Sequence, residues 1–166
     1  MVENRDPESD LAAGIAVRRE MLGDAHVDRA SAAATSFSEP FQRFITEVAW
    51  GKVWTRTELD RRTRSCMTLA ILATLRAEDE LALHVRAAIT NGLSPDEIYE
   101  VLLHTAVYAG IPAANTAVGI AQRTLAELGH DLAPPTDEHD AADELSTDTP
   151  RRPTDTAGQP TDRGDA

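Results

Sequence analysis

The chain has 166 residues and a formal net charge of −12, and 42% of its residues are hydrophobic although only 4% are aromatic. This length suits one domain with a single core, which Ala, Leu, Val and Ile must build because aromatic side chains are scarce. The acidic balance excludes a nucleic-acid-binding protein, since phosphate binding requires clustered Lys and Arg. Lys52 is the only lysine.

The start of the chain carries no targeting pattern. Residues 1–10, MVENRDPESD, are acidic and polar, and they lack the basic start and apolar run of a signal peptide. We expect them to form a flexible N-terminal segment. The longest nearly apolar stretch, 66–75, is far shorter than the roughly 20 residues that span a bilayer. The sequence therefore predicts a cytoplasmic protein without a membrane partner.

The hydrophobic pattern predicts an all-α protein. No segment shows sustained alternation of period two, whereas several show apolar residues at spacings of three and four. In chain order, helices are predicted over residues 11–22, from Ser38 onward, from a start near Thr57 through 66–75, over 78–90, from Ser94 onward, and over 112–128.

Two of these helices have apolar faces that predict burial. In the helix that opens near Ser38, the residues Phe41, Phe44, Ile45 and Val48 share one face. The next helix has capping-box spacing between Thr57 and Asp60, with Asp in place of the usual Glu or Gln. Because this helix is nearly all apolar over 66–75, we expect it to be buried on most sides.

The sharpest boundaries lie in the second half. The helix over 78–90 is predicted to end at Asn91-Gly92, where glycine can adopt the left-handed conformation. Ser94, Pro95 and Glu97 then supply an N-cap, a proline at the first helical position and a glutamate at the third. Gly110 and Pro112 interrupt the helix that follows.

The segment 134–166 has a different composition. It contains nine acidic residues against three arginines, five prolines and no aromatic residue. Such a segment cannot bury enough apolar area to offset chain entropy, so we predict a disordered acidic tail. The helical domain is accordingly assigned to residues 11–133.

The candidate catalytic residues are two histidines and their neighbours. His84 can exchange a proton near neutral pH or bind a carboxylate, and Glu80 lies four residues earlier on the same helical face. Glu100, His104 and Tyr108 are also spaced by four, so they form a polar stripe on an otherwise apolar helix. That stripe must face solvent, a subunit interface or a site.

Candidate substrate-binding residues are arginines and tryptophans. Arg61, Arg62 and Arg64 crowd one turn, and Arg86 follows His84 by two residues. Arginine can hold a carboxylate through two parallel hydrogen bonds. Trp50 and Trp54 are four apart and suit either the wall of a ligand pocket or packing in a core or interface.

Neither a metal site nor a disulfide is expected. His84 and His104 lack a local ligand motif such as H-E-x-x-H, and Cys66 is the only cysteine. We interpret Cys66 as a small buried apolar side chain.

Three blocks of sequence occur in a distinctive order: WGKVW at 50–54, LDRRTRS at 59–65, and HVRAAITNGLSPDEIYEVLLHTAVYAGIPAAN at 84–115. In these blocks the chain resembles the 4-carboxymuconolactone decarboxylase family, and the resemblance runs from about Gly14 to Leu128. One departure is Thr57-Glu58, which stands where family members usually carry a Pro-Gly pair. This change affects a turn rather than the chemistry.

The resemblance implies a compact six-helix fold, shared with alkylhydroperoxidase D-like proteins, that assembles into trimers or hexamers. In the peroxidase relatives a glutamate is followed 12, 15 and 19 residues later by two redox cysteines and a histidine. That spacing places Ser65, Ala77, Glu80 and His84 at the four positions. Disulfide reductase chemistry, which requires two thiols, is therefore excluded, while the histidine is retained.

The activity implied by the resemblance is decarboxylation of 4-carboxymuconolactone, a small dicarboxylate lactone, in protocatechuate catabolism through the 3-oxoadipate pathway. No cofactor is expected, because the scissile carboxylate is conjugated to the lactone carbonyl. The resemblance assigns protonation or oxyanion donation to His84, carboxylate binding to Arg64 and Arg86, and supporting hydrogen bonds to Glu80, His104 and Tyr108.

Two alternatives stay open at the level of the sequence. One is another lyase, isomerase or hydrolase of the same superfamily that acts on a small carboxylated ring. The other is a non-catalytic helical assembly that binds a ligand.

Overall fold

The computed structural model describes residues 6–132, and this part of the chain is all-α, as predicted, with no strand. It contains seven α-helices, one more than the six that the family resemblance implies, and one π-helical segment. The helices are α1 (Pro7–Leu22), α2 (Asp24–Ala32), α3 (Glu39–Ile45), α4 (Arg61–Leu75), α5 (Glu78–Thr90), α6 (Pro95–Ala109) and α7 (Ile111–Glu127), and the π-helical segment is Thr46–Val53.

Helices α4 to α7 pack against one another around the main core. Each contributes aliphatic side chains at spacings of three and four, which is the pattern of a helix that buries one stripe. The members of this core include Leu69, Ala73, Leu81, Val85, Ala88, Leu93, Ile98, Leu102, Ala117, Ile120, Ala121 and Leu125. The shortage of aromatic residues is thus matched by a core of Leu, Ile, Val and Ala.

A second, smaller core joins α1 and the π-helical segment to α5. Val17 and Met21 of α1 pack with Trp50 of the π-helical segment and Ala87 of α5. Two glycines allow α1 and the π-helical segment to approach closely. A Cβ atom at Gly14 would overlap the carbonyl oxygen of Thr46, and one at Gly51 would overlap the carbonyl oxygen of Asp10.

The strongest local signals of the sequence are confirmed. Helix α5 ends at Thr90, and Gly92 has a φ of +87° in the turn that follows. Ser94 and Glu97 form a complete capping box at the start of α6, with a proline in its first turn. Gly110, with a φ of +103°, separates α6 from α7.

The N-terminal half differs more from the prediction. Helix α1 begins at Pro7 rather than at residue 11, and Asp10 within it is buried. Helix α2 was not predicted, because Val27 is the only large apolar residue in its sequence. At the start of α4 the N-cap is Asp60, whose carboxylate accepts a hydrogen bond from Thr63 N at 2.7 Å, so the capping box expected from Thr57 is wrong.

Two apolar faces that were expected to be buried, on α3 and on α4, are largely exposed in this single chain. On α4, Met67, Ile71 and Leu75 are exposed because the bundle contacts only one side of the helix. Phe41 and Phe44 are exposed too, and only Ile45 and Val48 of that face are half-buried. The fold therefore leaves large apolar surfaces on α3, α4 and α6.

Within residues 6–132 no helix is both long and apolar enough to cross a bilayer. The predicted acidic tail, 134–166, lies outside the described residues, as do the first five residues of the chain.

Candidate active site

Three aromatic rings from two elements form a stack at the junction of α5 and the π-helical segment. The imidazole of His84 lies parallel to the indole of Trp50, with an interplanar angle of 5° and ring centroids 6.3 Å apart. Trp50 also stacks on Trp54, with centroids 5.3 Å apart. These separations are within the usual range of aromatic pairs. The structure thus brings together three of the residues selected from the sequence.

The π-helical geometry places the two tryptophans. Trp54 follows the last residue of the segment, and its backbone N–H donates to the carbonyl of Ala49, five residues earlier, at 3.0 Å. Trp50 is buried against α1 and α5, whereas Trp54 is half-buried beside Val17. Because π-helical turns are frequent at functional sites, this segment supports the choice of the stack as a candidate site.

The environment of His84 sets its charge. Burial lowers the pKa of the His84 imidazole below its usual value, and the nearby carboxylate of Glu80 opposes that shift. Desolvation is the larger of the two causes, since Glu80 is exposed on the outer turn of α5. His84 is therefore neutral at pH 7 in the protein without ligand, and it can donate one hydrogen bond and accept another.

Arg64 lies on α4, which begins after the loop that follows Trp54. Its guanidinium donates a 3.4 Å hydrogen bond to the carbonyl of Arg56, in the loop that follows Trp54. Its Nε is buried and has no hydrogen-bond partner among the described residues. It also forms no ion pair with a carboxylate of residues 6–132. Arg64 thus keeps hydrogen-bonding capacity for an anion.

The other three candidate arginines are already paired. Arg86 points away from His84, since two residues correspond to about 200° around an α-helix, and it forms an ion pair with Glu127 of α7. In this single chain Arg86 is thus engaged by Glu127, and its predicted role in carboxylate binding stays a prediction. Arg61 pairs with Glu20, and Arg62 bridges Glu97 and the carbonyl of Gly92, which ties α4 to the turn before α6.

The second predicted constellation lies elsewhere on the molecule. Glu100, His104 and Tyr108 are all exposed on α6, and the rings of His104 and Tyr108 are 4.7 Å apart. Glu100 and His104 line an open groove between α4 and α6, whose other walls are mainly apolar. No ring contact joins this stripe to His84 within the described residues. The two histidines thus occupy separate surroundings.

Within residues 6–132 there is no group of three or more His, Cys, Asp and Glu side chains that could hold a metal ion. Cys66 is half-buried on α4, and burial raises the pKa of its thiol.

The fold and the stack together describe a small all-helical protein whose candidate site is centred on a neutral histidine that stacks on Trp50, which in turn stacks on Trp54. The chain belongs to the Carboxymuconolactone decarboxylase family, whose family model matches residues 39–123. The matched region includes both tryptophans, Arg64 and His84.

Named relatives agree with this membership. The chain is 46% identical over 116 residues to the 4-carboxymuconolactone decarboxylase of Acinetobacter baylyi, covering 70% of this chain and 87% of that protein. It is 45% identical over 115 residues to the nitrosuccinic acid decarboxylase npaB of Metarhizium robertsii, covering 69% and 80% of the two chains. A 46-residue match to the 4-carboxymuconolactone decarboxylase of Pseudomonas putida, also 46% identical, covers 28% of this chain and 96% of that sequence.

Proposed function

We propose that this protein is a carboxy-lyase that converts 4-carboxymuconolactone to the enol-lactone of 3-oxoadipate, in the protocatechuate branch of the 3-oxoadipate pathway. The observation that carries the proposal is the half-buried, neutral His84 stacked on Trp50, in a chain 46% identical to an enzyme of that name. The fold we propose is the alkylhydroperoxidase D-like one, with α2 as an additional helix.

The reaction needs little from the protein beyond binding and charge stabilisation. When the bond to the scissile carboxylate breaks, its electron pair moves through the ring double bond to the lactone carbonyl oxygen. Carbon dioxide leaves, and the resulting dienolate takes up a proton at carbon. Because the substrate holds its own electron sink, we propose that the chemistry proceeds without a cofactor.

His84 suits stabilisation of the developing negative charge. A neutral imidazole donates its N–H to an oxyanion without first having to lose or gain a proton, and a partly dry site strengthens that hydrogen bond. The proton that the dienolate carbon takes up can then arrive through the same imidazole, since its second nitrogen can be reprotonated from solvent. Glu80 counteracts the lowering of the His84 pKa and so helps to retain that proton.

Substrate binding is assigned to the side chains around His84. Arg64 holds the carboxylate that is not lost, because it has free donors and no competing carboxylate among the described residues. Trp54, which is half-buried, offers a flat apolar surface for a planar ring, and the buried Trp50 supports Trp54 by stacking on it. Arg86 is left out of this assignment, because Glu127 already neutralises it.

We propose that the chain functions as a homo-oligomer, such as a trimer or hexamer. On the outer surface of α4 and α6 lie Met67, Ile71, Leu103, Val107 and Tyr108, each between 46% and 78% exposed. Contiguous apolar surface of this kind usually marks a contact with another protein. Glu100, His104 and Tyr108 then hydrogen-bond across the contact between subunits, rather than within one subunit's site.

A second candidate substrate is supported by the relative from Metarhizium robertsii, which is named as a decarboxylase of nitrosuccinic acid. Nitrosuccinic acid is also a dicarboxylic acid, and its nitro group can accept the electron pair that carbon dioxide leaves behind. The same three groups, an arginine, an oxyanion donor and a proton source, would serve both reactions.

One assay separates these candidates. Purified protein is mixed either with enzymatically generated 4-carboxymuconolactone or with nitrosuccinate, and carbon dioxide and the organic product are measured in each. We expect rapid turnover of the lactone and little of the nitro acid. The reverse preference would favour the second candidate, and a folded protein that turns over neither would favour a ligand-binding assembly or another enzyme of the family.

A further inference from the structure

One buried charge of the N-terminal half has no counter-charge among residues 6–132. Arg18 on α1 is only 8% exposed, yet it forms no ion pair with any carboxylate of residues 6–132. Burial lowers the pKa of its guanidinium, which reflects the cost of holding the charge in that place. Since removing a charge from water is expensive, a buried arginine with neutral partners calls for a structural or functional reason.

The partners of Arg18 flank the point at which the α-helix becomes a π-helix. Nη1 donates to the hydroxyl of Thr46 at 3.1 Å, and Nη2 donates to the side-chain carbonyl of Gln42 at 3.2 Å. Thr46 is the first residue of the π-helical segment, and Gln42 lies one turn earlier on α3. The Thr46 hydroxyl in turn donates to the backbone carbonyl of Gln42 at 2.8 Å. The guanidinium thus joins both sides of the junction.

The same face of α1 fixes the rest of the segment. Asp10, Gly14 and Arg18 are spaced by four and form one stripe. Gly14 admits the backbone of Thr46, with Gly51 N 2.9 Å from the position of its missing Cβ, and the buried carboxylate of Asp10 lies 3.7 Å from Lys52 Nζ. Arg18 therefore contacts the start of the π-helical segment, and Asp10 contacts its end.

We propose that Arg18 is a positioning residue of the active site, which holds the start of the π-helical segment so that Trp50 lies parallel to His84. It touches neither the imidazole nor the bound substrate, and it acts through the segment that carries Trp50. The proposal builds on the function assigned above, because the geometry that it maintains is that of the His84 stack. The neighbouring Arg19 provides a matched control, since it is more exposed and pairs with Asp24 and Asp28.

The test compares Arg18→Met, Arg18→Lys and Arg19→Met by methods that need no substrate. The titration of His84 is followed by NMR of its imidazole C–H protons, and the packing of the tryptophans by near-ultraviolet circular dichroism. In Arg18→Met we expect a weaker aromatic signal and a His84 pKa closer to its usual value, because a loosened stack admits water. Arg18→Lys should restore part of both signals, and Arg19→Met should match wild type.

Turnover gives a further readout if the proposed reaction is confirmed. Displacing a catalytic group by about 1 Å can cost up to 100-fold in rate, so Arg18→Met should lower kcat by roughly 10- to 100-fold with little change in KM. A protein that never turns over either substrate would refute the proposed function, whereas the spectroscopic test of Arg18 would still stand.

Loss of stability must be separated from loss of position. Ile98→Val, which shortens a fully buried side chain in the main core, serves as a destabilised control and should leave the His84 titration unchanged. If Arg18→Met does not fold, Thr46→Val removes one acceptor while preserving shape and should move the His84 pKa in the same direction. A folded Arg18→Met, or failing that Thr46→Val, with wild-type titration and aromatic signal would overturn the proposal.

Discussion

The two histidines selected from the sequence lie in contrasting surroundings. His84 is half-buried and parallel to Trp50, whereas His104 is exposed on α6 beside Tyr108, in a groove with mainly apolar walls. Both sit on helices with well-defined ends and similar local patterns. The difference arises from what packs against each helix, which shows that a polar side chain on an apolar helix does not by itself identify a catalytic site.

Replacing each histidine in turn tests the contrast most directly. His84→Ala should lower kcat by roughly 100-fold or more, the usual scale for loss of an acid–base or oxyanion group. His104→Ala should leave kcat close to wild type in protein that stays assembled. Steady-state kinetics, with circular dichroism and sedimentation as controls for folding and assembly, check both. An equal loss in the two variants would mean that a neighbouring subunit brings α6 to the His84 site.

The close approach of α1 to the π-helical segment predicts the next largest effect. Gly51→Ala should reduce the free energy of unfolding by about 1–3 kcal/mol, because its Cβ would overlap the Asp10 carbonyl oxygen. Gly119→Ala on α7 is the matched control. The new Cβ there meets only the end of the Arg123 side chain at 3.5 Å, so alanine should stabilise the helix by about 0.5–1 kcal/mol. Chemical denaturation measures both, and equal destabilisation would contradict the packing described.

Replacing Arg64 and Arg86 separately tests which of these arginines binds the substrate. Arg64→Ala should raise KM about tenfold, the scale of a lost hydrogen bond between charged groups. Arg86→Ala should leave KM unchanged, since it loses only a surface ion pair with Glu127, and such pairs contribute little. Initial-rate kinetics on both variants separate the two, and a raised KM for Arg86→Ala alone would restore the role expected from the sequence.

The exposed face of α6 predicts an effect on assembly rather than on chemistry. Val107→Lys should shift the protein toward smaller species, because it places a charge on the apolar surface proposed to contact another subunit. Gln122→Lys, on the exposed side of α7, should not change the distribution. Sedimentation velocity at matched concentrations distinguishes them. A wild-type protein that sediments as a monomer would remove the proposed role of this face.

The smallest expected effect is on the pH dependence of stability. Because burial lowers the pKa of His84 in the folded state, the unfolded chain binds more protons between that pKa and about 6.5. Stability should therefore be complete above pH 6.5 and fall as the pH drops through the folded pKa. His26 has a pKa lowered by burial and by Arg18 and Arg29, so it contributes in the same direction. Thermal melts from pH 7.5 to 5.5 should show a shallower decline in His84→Gln, and an unchanged slope would contradict the assignment.

The sequence predicted best where structure depends on adjacent residues. The capping box at Ser94, the turn at Gly92 and the break at Gly110 follow from side chains within a few positions of one another. Prediction from the sequence failed where the structure depends on contacts between distant residues. The periodicity of α4 marks apolar residues but not which side has a partner, so the exposure of Ile71 was missed. Among the candidate site residues, His84 and Trp50 were selected from the sequence and lie together in the structure, whereas their parallel stacking was not predictable.

Arg18 was missed for a related reason. Its neighbours in sequence are ordinary helix-forming residues, and only the folded chain shows that it reaches Gln42 and Thr46. The spacing of Asp10, Gly14 and Arg18 was the one available signal. It becomes informative only when the backbone of the π-helical segment is known to lie against it.

The π-helical segment also constrains which insertions and deletions this protein can tolerate. Each residue of an α-helix turns the chain by about 100°, so removing one residue between Thr46 and Trp50 would rotate α3 by that angle relative to the tryptophans. The exposed side chains of Phe41 and Phe44 would then face a new direction while His84 stayed in place. A change in length at this point would therefore alter the outer surface and the stack together. A change in length within the loop 55–60 would not rotate α3 relative to the tryptophans.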